Sequence, residues 1–294
     1  MNHDELLHDG RILRAVEIAL MEDIGVGDIT SDAIIPETDN GVGEFLCKGT
    51  GVAAGLDVVA LVFQLCDETS VTTANLCDGD PVTPGIVLAL VRGKTKAILR
   101  GERTALNFLQ RMSGIATATR NYVKAVEGTG AKITDTRKTA PGLRNIDKWA
   151  VRCGGGVNHR FGLDDMILIK DNHIAAAGGI TKAVTACLAY LGKKQGTIGV
   201  EVETKTLQEV DEALSCTGIT RIMLDNFAVP DMRRAVQRIG RRMEVEASGG
   251  ITLETVRAVA ETGVDFISVG ALTHSVRGLD ISLELIPAHH DHSH

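Results

Sequence analysis

Polar side chains close five successive apolar runs in this chain. The runs read Lys132-Ile-Thr-Asp-Thr-Arg-Lys138, Met166-Ile-Leu-Ile-Lys-Asp-Asn-His173, Val200-Glu-Val-Glu203, Ile222-Met-Leu-Asp-Asn226 and Val245-Glu-Ala-Ser-Gly-Gly250. Each begins like a buried strand and ends in charge, amide or glycine. A βα-barrel needs that pattern, because its chemistry sits where strands end and helices have not begun. The polar set is lopsided, with Arg137, Lys138, His159, Arg160 and Lys170 against Glu203 and Asp225. It suits a strongly anionic ligand with a metal, and so an enzyme acting on phosphorylated, carboxylated small molecules.

Each motif has a plainer reading to weigh. Thr136-Arg137-Lys138-Thr139 could be a solvated loop, but at a strand end it can clamp a carboxylate and a phosphate, Arg as a fork and Lys as a point charge. Gly154-Gly-Gly156 alone is a flexible turn; followed by Asn158-His159-Arg160 it becomes an anion site. Lys170 could form a Schiff base or pair with Asp171, and anion binding is the favoured role. Glu201 and Glu203 alternate onto one face of a strand, and Glu203 is nearer the catalytic end. With Asp225 it offers hard oxygen ligands for Mg²⁺ or ribose hydroxyls, whereas the plain role of Asp225 is an N-cap. Ser248-Gly249-Gly250 and Val269-Gly270-Ala271 supply the backbone amides that bind phosphate at the end of a barrel. The histidine-rich tail His289–His294 reads as a free terminal segment rather than a metal site.

Elements that place these residues follow from periodicity. Ile12, Leu13, Val16, Ala19 and Leu20 make an amphipathic helix over 11–24, ended by Gly25-Val-Gly-Asp28. Short glycine-broken strands over 42–99 form an α+β unit. A long helix over 101–128 bridges the domains, with a break or kink at Ser113-Gly114. After Gly128 a βα rhythm sets in, with helices over 180–191, 206–216, 229–239 and 253–262 and a last strand at Asp265–Gly270. Six strands are clear and another falls near Trp149–Cys153. The fold class is α/β: an N-terminal α/β sandwich over 1–114, closed by 276–294, and a distorted, incomplete βα-barrel over 115–275.

Composition limits the partners. The 294 residues suffice for both domains, and 44% apolar with 23% charged residues is ordinary for a soluble globular chain. Aromatics are only 3%, so Ala, Val, Ile and Leu fill the core. A net charge of −7 argues against a nucleic-acid partner, and makes a local basic cluster more pointed. The longest apolar runs fall far below the ~18 residues of a membrane span. Six cysteines without CxxC spacing and no secretory segment indicate free thiols in a reducing cytoplasm.

These segments, with Glu22-Asp-Ile-Gly-Val-Gly-Asp-Ile-Thr30, Gly101-Glu-Arg-Thr-Ala-Leu-Asn-Phe-Leu-Gln110, Ser113-Gly-Ile-Ala-Thr117 and Leu224-Asp-Asn-Phe227, resemble the quinolinate phosphoribosyltransferase family over nearly the whole chain. The resemblance implies a homodimer with shared active sites, in which one subunit's N-terminal part completes its partner's site. It implies transfer from phosphoribosyl pyrophosphate to quinolinate, giving nicotinate mononucleotide, pyrophosphate and CO2. Quinolinate contacts then fall on Arg103 from the neighbouring subunit, Arg137, His159, Arg160 and Lys170, and Thr136 also binds substrate. Phosphoribosyl pyrophosphate and Mg²⁺ fall to Lys138, Glu203, Asp225, Ser248, Gly249, Gly250, Ser268, Val269 and Gly270, with Lys138, Lys170, Glu203 and Asp225 as the catalytic set. Three rivals stand beside this reading. They are a phosphoribosyltransferase for a mono-acid such as nicotinate, a barrel aldolase using Lys170, and a non-catalytic anion binder.

Overall fold

The computed structural model describes residues 10–192 and 198–287; the His289–His294 tail lies outside them. The chain forms two compact units. One holds the residues up to Arg120, Thr139–Gly155 and those from Leu272; the other holds Asn121–Lys138 and Gly156–Ala271.

The first unit opens with helices α1 (Gly10–Ile24) and α2 (Ile29–Ile34). Helix α1 buries Ile12, Val16 and Leu20, the stripe expected from their spacing. Asp28 caps α2 by accepting the amides of Thr30 and Ser31. Strand β1 (Asn40–Cys47), the short β2 (Gly51–Val52), helix α3 (Leu56–Cys66), strands β3 (Val71–Ala74), β4 (Pro81–Val82) and β5 (Val87–Lys94) and the long helix α4 (Thr95–Ala125) follow. A four-stranded antiparallel sheet runs β12-β1-β5-β3, where β12 is Ile281–Pro287. The chain's last described strand therefore pairs with its first, Phe45 opposite Leu283. Phe45 and Phe63 meet edge to face at 5.9 Å in the core of this unit.

Two expectations change here. Helix α4 is continuous through Ser113-Gly114 rather than broken. Gly114 is there for close approach: a Cβ would run into the Arg277 carbonyl oxygen, while Ser113 Oγ bonds the backbone of Ala54. The segment Trp149–Cys153 is not a strand but the end of helix α5 (Arg144–Cys153). Its buried Ile146, Asp147, Ala150 and Val151 lie at helical spacing, and Trp149 Nε1 donates to Asp78.

The second unit holds a six-stranded sheet, ordered β6-β11-β10-β9-β8-β7, with parallel pairing throughout. Its strands are β6 (Lys132–Thr134), β7 (Ile167–Ile169), β8 (Val200–Thr204), β9 (Arg221–Asp225), β10 (Glu244–Ser248) and β11 (Phe266–Ser268). Helices α6 (Asp171–Ala177), α7 (Ile180–Leu191), α8 (Leu207–Leu214), α9 (Val229–Ile239) and α10 (Val256–Ala260) alternate with them, and the short α11 (Ala271–His274) follows β11. Among the described residues the sheet does not close on itself, matching the expected incomplete barrel.

The period of two along these strands decides which side chains face together. Register places Glu201 beside Arg221, Glu203 beside Met223, and Ser248 beside Asp225. Val202, Ile222, Leu224, Val245 and Ala247 take the other face and are buried as apolar core. One face of the sheet is thus aliphatic; the opposite one is lined with Glu201, Glu203, Arg221, Asp225, Glu246, Ser248 and Ser268.

Candidate active site

The carboxyl ends of β7, β8 and β9 bring three of the expected residues to one edge. Lys170 follows β7 directly, and its Nζ lies 3.1 Å from Glu203 Oε2 near the end of β8. Lys170 thus pairs with Glu203 and not with Asp171, which is held instead by Lys205 at 2.7 Å. That bond keeps the Asp171 carboxyl below the usual carboxylate range. Lys205 also feels the charges of Glu203 and Asp225, which help raise its own pKa behind the larger effect of Asp171. Sequence reasoning passed over Lys205, which sits in the bend after β8, two residues beyond Glu203.

Asp225 ends β9 and does not cap a helix. The next helix, α9, has Ala228 as its N-cap. The Asp225 carboxylate instead accepts the side-chain amide of Asn226 at 2.9 Å. Asn226 adopts a left-handed backbone (φ 57°), and its amide nitrogen donates to the Ser248 carbonyl at 2.8 Å. A Cβ on Gly249 would collide with the Asn226 side chain, so only glycine fits the turn after β10. Ser248-Gly249-Gly250 and Asp225-Asn226 are locked together across neighbouring strand ends. Beside them, Ser268 is buried and its Oγ donates to the Ala247 carbonyl, while the Val269 amide donates to Thr134.

The basic segment is pinned through Asp135, itself fully buried at the end of β6. Its carboxylate accepts the Asn158 side chain at 2.6 Å and the His159 amide at 2.9 Å. Arg160 is buried, with one guanidinium nitrogen on the Met166 carbonyl at 2.9 Å. Burial and the neighbouring Arg137 charge both lower the Arg160 pKa, so two like charges are held near each other. Thr136 Oγ1 accepts the Lys138 amide at 3.0 Å, and Lys138 is exposed. Arg103 lies exposed on α4 in the first unit.

Beneath the basic segment lies a group the sequence did not announce. His159 Nε2 is 3.1 Å from Glu201 Oε2 and 3.4 Å from Glu246 Oε2. Arg221 reaches Glu246 at 3.0 Å and stacks over Phe266 with 3.9 Å to the ring centre. Both glutamates are 0% exposed. Burial raises the Glu201 pKa. At Glu246 burial pulls the same way, but the facing His159 ring and the Arg221 charge prevail and lower it. Burial opposes a charged His159, yet its glutamate neighbours prevail and raise it to about 9. The Arg160 amide, however, donates to His159 Nδ1 at 2.8 Å. A doubly protonated ring has no lone pair to accept it. The hydrogen bond is the direct geometric fact, and it selects the neutral ring with its proton on Nε2.

Two places could hold a metal among the described residues. His159, Glu201 and Glu246 present atoms within 4.8 Å of one another, but Arg221 already neutralises Glu246 and the site is sealed. Glu203 and Asp225 are the better fit for a hard dication. They are oxygen donors on adjacent strands at the accessible end of the sheet.

Comparison with known proteins agrees with this architecture. Residues 28–113 match the family described as quinolinate phosphoribosyl transferase, N-terminal domain, and residues 115–284 match its C-terminal domain. A quinolinate phosphoribosyltransferase [decarboxylating] of Nicotiana tabacum is 47% identical over 285 residues, covering 92% of this chain and 81% of the relative. A probable nicotinate-nucleotide pyrophosphorylase [carboxylating] of Bacillus subtilis is 44% identical over 265 residues, covering 90% of each chain. The crystal structure of NadC from Streptococcus pyogenes superposes with a TM-score of 0.89 at 39% identity, covering 94% of this chain and 97% of that one.

Proposed function

This chain belongs to the quinolinate phosphoribosyltransferase family, and from that premise we propose how its own residues carry the reaction. It is a phosphoribosyltransferase of NAD biosynthesis that joins quinolinate to phosphoribosyl pyrophosphate with loss of CO2. The observation that carries the reading is the charge layout of one sheet edge: Lys170 paired with Glu203 beside Asp225, and Arg137 held near Arg160.

Arg137, Arg160 and Lys170 take the two carboxylates of quinolinate, with Thr136 and His159 on the same wall. Two guanidiniums held close are the complement of a dianion, each able to grip a carboxylate in bidentate fashion. Lys138, the Ser248–Gly250 turn and the Ser268–Gly270 turn take the phosphates. Glu203 and Asp225 would hold the ribose hydroxyls and a Mg²⁺ ion. That ion, when bound, neutralises charge on the departing pyrophosphate.

In the first step the pyridine nitrogen forms a bond to ribose C1, and the C1–oxygen bond to pyrophosphate breaks with its electron pair. The residues act by holding nitrogen, C1 and leaving oxygen in line and by stabilising the departing anion. In the second step the bond from ring C2 to its carboxylate breaks. CO2 leaves, and the electron pair stays on C2 next to the now cationic ring nitrogen until it takes a proton from solvent. Neither step needs a protein base. Lys170 stays paired with an acid rather than set in an apolar pocket, which speaks against the Schiff-base aldolase.

The same reading makes the enzyme a homodimer, with Arg103 of one subunit serving the site of the other. Support comes from the exposed apolar side chains Ile18, Met21, Val26, Ile29 and Ile34 clustered on α1, α2 and their connection, the kind of surface that a partner covers. The same reading puts the functional division at residue 114, supported by one family match ending at 113 and the other starting at 115. The six cysteines, all free thiols, favour a reducing compartment such as the cytoplasm. No single described helix is long and apolar enough to cross a membrane. The test is an omission assay. Nicotinate mononucleotide should form only when quinolinate, phosphoribosyl pyrophosphate and Mg²⁺ are all present, and product without quinolinate would overturn the assignment.

A further inference from the structure

We infer that Glu246, anchored by Arg221, is a positioning residue for quinolinate: it orients the His159 ring so that Nδ1 fixes Arg160 against the repulsion of Arg137. The inference rests on the reading that Arg137 and Arg160 bind the substrate's carboxylates.

Arg160 is asked to sit close to a second guanidinium before any anion arrives, and Coulomb repulsion favours its leaving. Only a few bonds oppose that. One is the Met166 carbonyl on the guanidinium. Another is the backbone bond from the Arg160 amide to His159 Nδ1. That second bond exists only while Nδ1 keeps its lone pair, so the ring proton must be on Nε2. The groups facing the ring enforce this. Glu201 from β8 and Glu246 from β10 both turn a carboxylate oxygen to Nε2 and none to Nδ1. Arg221 from β9 holds Glu246 in place. Asp135, after β6, fixes the His159 backbone from the remaining side.

A chain of contacts therefore runs from Arg221 through Glu246 and His159 to Arg160. Glu246 and His159 are buried beneath the site while Arg221 is partly exposed, and none of the glutamate atoms is exposed. A cluster serving fold stability alone would have no reason to end on the amide of a substrate-binding arginine. Such buried partners fix a ligand-binding side chain in the manner that outer-shell groups fix a metal-binding histidine.

Two measurements on the full-length protein test this. Calorimetric titration compares quinolinate binding to the wild type and to Glu246→Gln, with the fold checked by thermal melting. Glu246→Gln should bind quinolinate about tenfold more weakly, the size of one charge-assisted hydrogen bond's restraint. Its KM for phosphoribosyl pyrophosphate should stay within about twofold, a split that general loosening of the fold would not give. Unchanged quinolinate affinity in a folded variant overturns the inference. The second measurement needs no variant: nitrogen chemical shifts of ¹⁵N-histidine-labelled wild type at neutral pH. His159 should show a bare Nδ1 and a protonated Nε2, and a proton on Nδ1 would overturn the inference even if Glu246→Gln does not fold. A wild type that binds no quinolinate sinks the functional reading instead, and the His159 spectrum still decides the positioning chain.

Discussion

Replacing quinolinate by nicotinate removes one carboxylate and leaves the protein untouched, so the cost can be worked from the site. In the proposed reading, quinolinate meets Arg137, Arg160 and Lys170 as a dianion, and nicotinate meets them as a monoanion. Loss of one bidentate guanidinium grip removes two charge-assisted hydrogen bonds, each contributing roughly 1.5–3 kcal/mol, or about 3–6 kcal/mol together. At about 1.4 kcal/mol per decade this lowers kcat/KM by roughly 10²–10⁴. The upper part of the range applies if Arg160 goes unmatched. It is only 8% exposed, and the neighbouring Arg137 charge already disfavours its own. A site built around polar partners rejects the analogue that leaves them unpaired more strongly than an apolar pocket rejects a missing methylene. The assay is initial-rate formation of nicotinate mononucleotide at saturating phosphoribosyl pyrophosphate, resolved by chromatography over a range of either acid. Values of kcat/KM within tenfold of each other would refute the two-arginine recognition and favour the mono-acid enzyme.

Asp225→Asn should keep the fold, cut turnover by about 10² and raise the Mg²⁺ concentration for half-maximal rate; near-normal rates at unchanged Mg²⁺ would leave Asp225 only its bond to Asn226. Arg103→Ala and Lys170→Ala homodimers should each be nearly inactive, while mixing them under exchanging conditions should restore activity through one intact site per mixed dimer. Mixed dimers that form and stay inactive would defeat the shared site. Asp28→Ala should lower stability by about 1 kcal/mol through loss of the α2 cap. Because the Ser31 hydrogen bonds lower the Asp28 pKa from 3.8, that contribution is complete above this value and fades as pH falls through the lower folded value; an unfolding free energy unchanged by the substitution at pH 7 would count against it. Deleting His289–His294 should leave melting temperature and turnover unaltered, and a loss of either would show that the tail docks.

The six parallel strands were legible because each apolar run stops at a polar residue, and a buried strand has no other reason to change character there. Strand ends also exposed Lys170, Glu203 and Asp225. What escaped was the layer underneath. Glu246 lies inside the run Glu244-Val-Glu-Ala-Ser248, and the alternation that puts Ser248 on the site face puts Glu246 on the same face two residues lower. Reading that period through to Arg221 and Glu201 would have revealed a buried charge cluster, whereas Glu201 drew notice only as the lesser neighbour of Glu203. The Trp149–Cys153 segment was misread because five mostly apolar residues fit a strand as well as a helical turn, and the choice is made by Ile146 and Asp147 upstream. The break expected at Ser113-Gly114 failed for another reason: a glycine demanded by the approach of Arg277 looks, in sequence, like one that ends a helix.

The central claim is that one site both forms the bond from ring nitrogen to ribose and releases the neighbouring carboxylate. Quinolinate labelled with carbon-14 in its 2-carboxylate, incubated with phosphoribosyl pyrophosphate, Mg²⁺ and this protein, tests that coupling directly. Labelled CO2, pyrophosphate and nicotinate mononucleotide should appear in equal amounts from the first turnovers onward, with no CO2 when phosphoribosyl pyrophosphate is left out. Pyrophosphate released without CO2, or CO2 without nucleotide, would contradict the account.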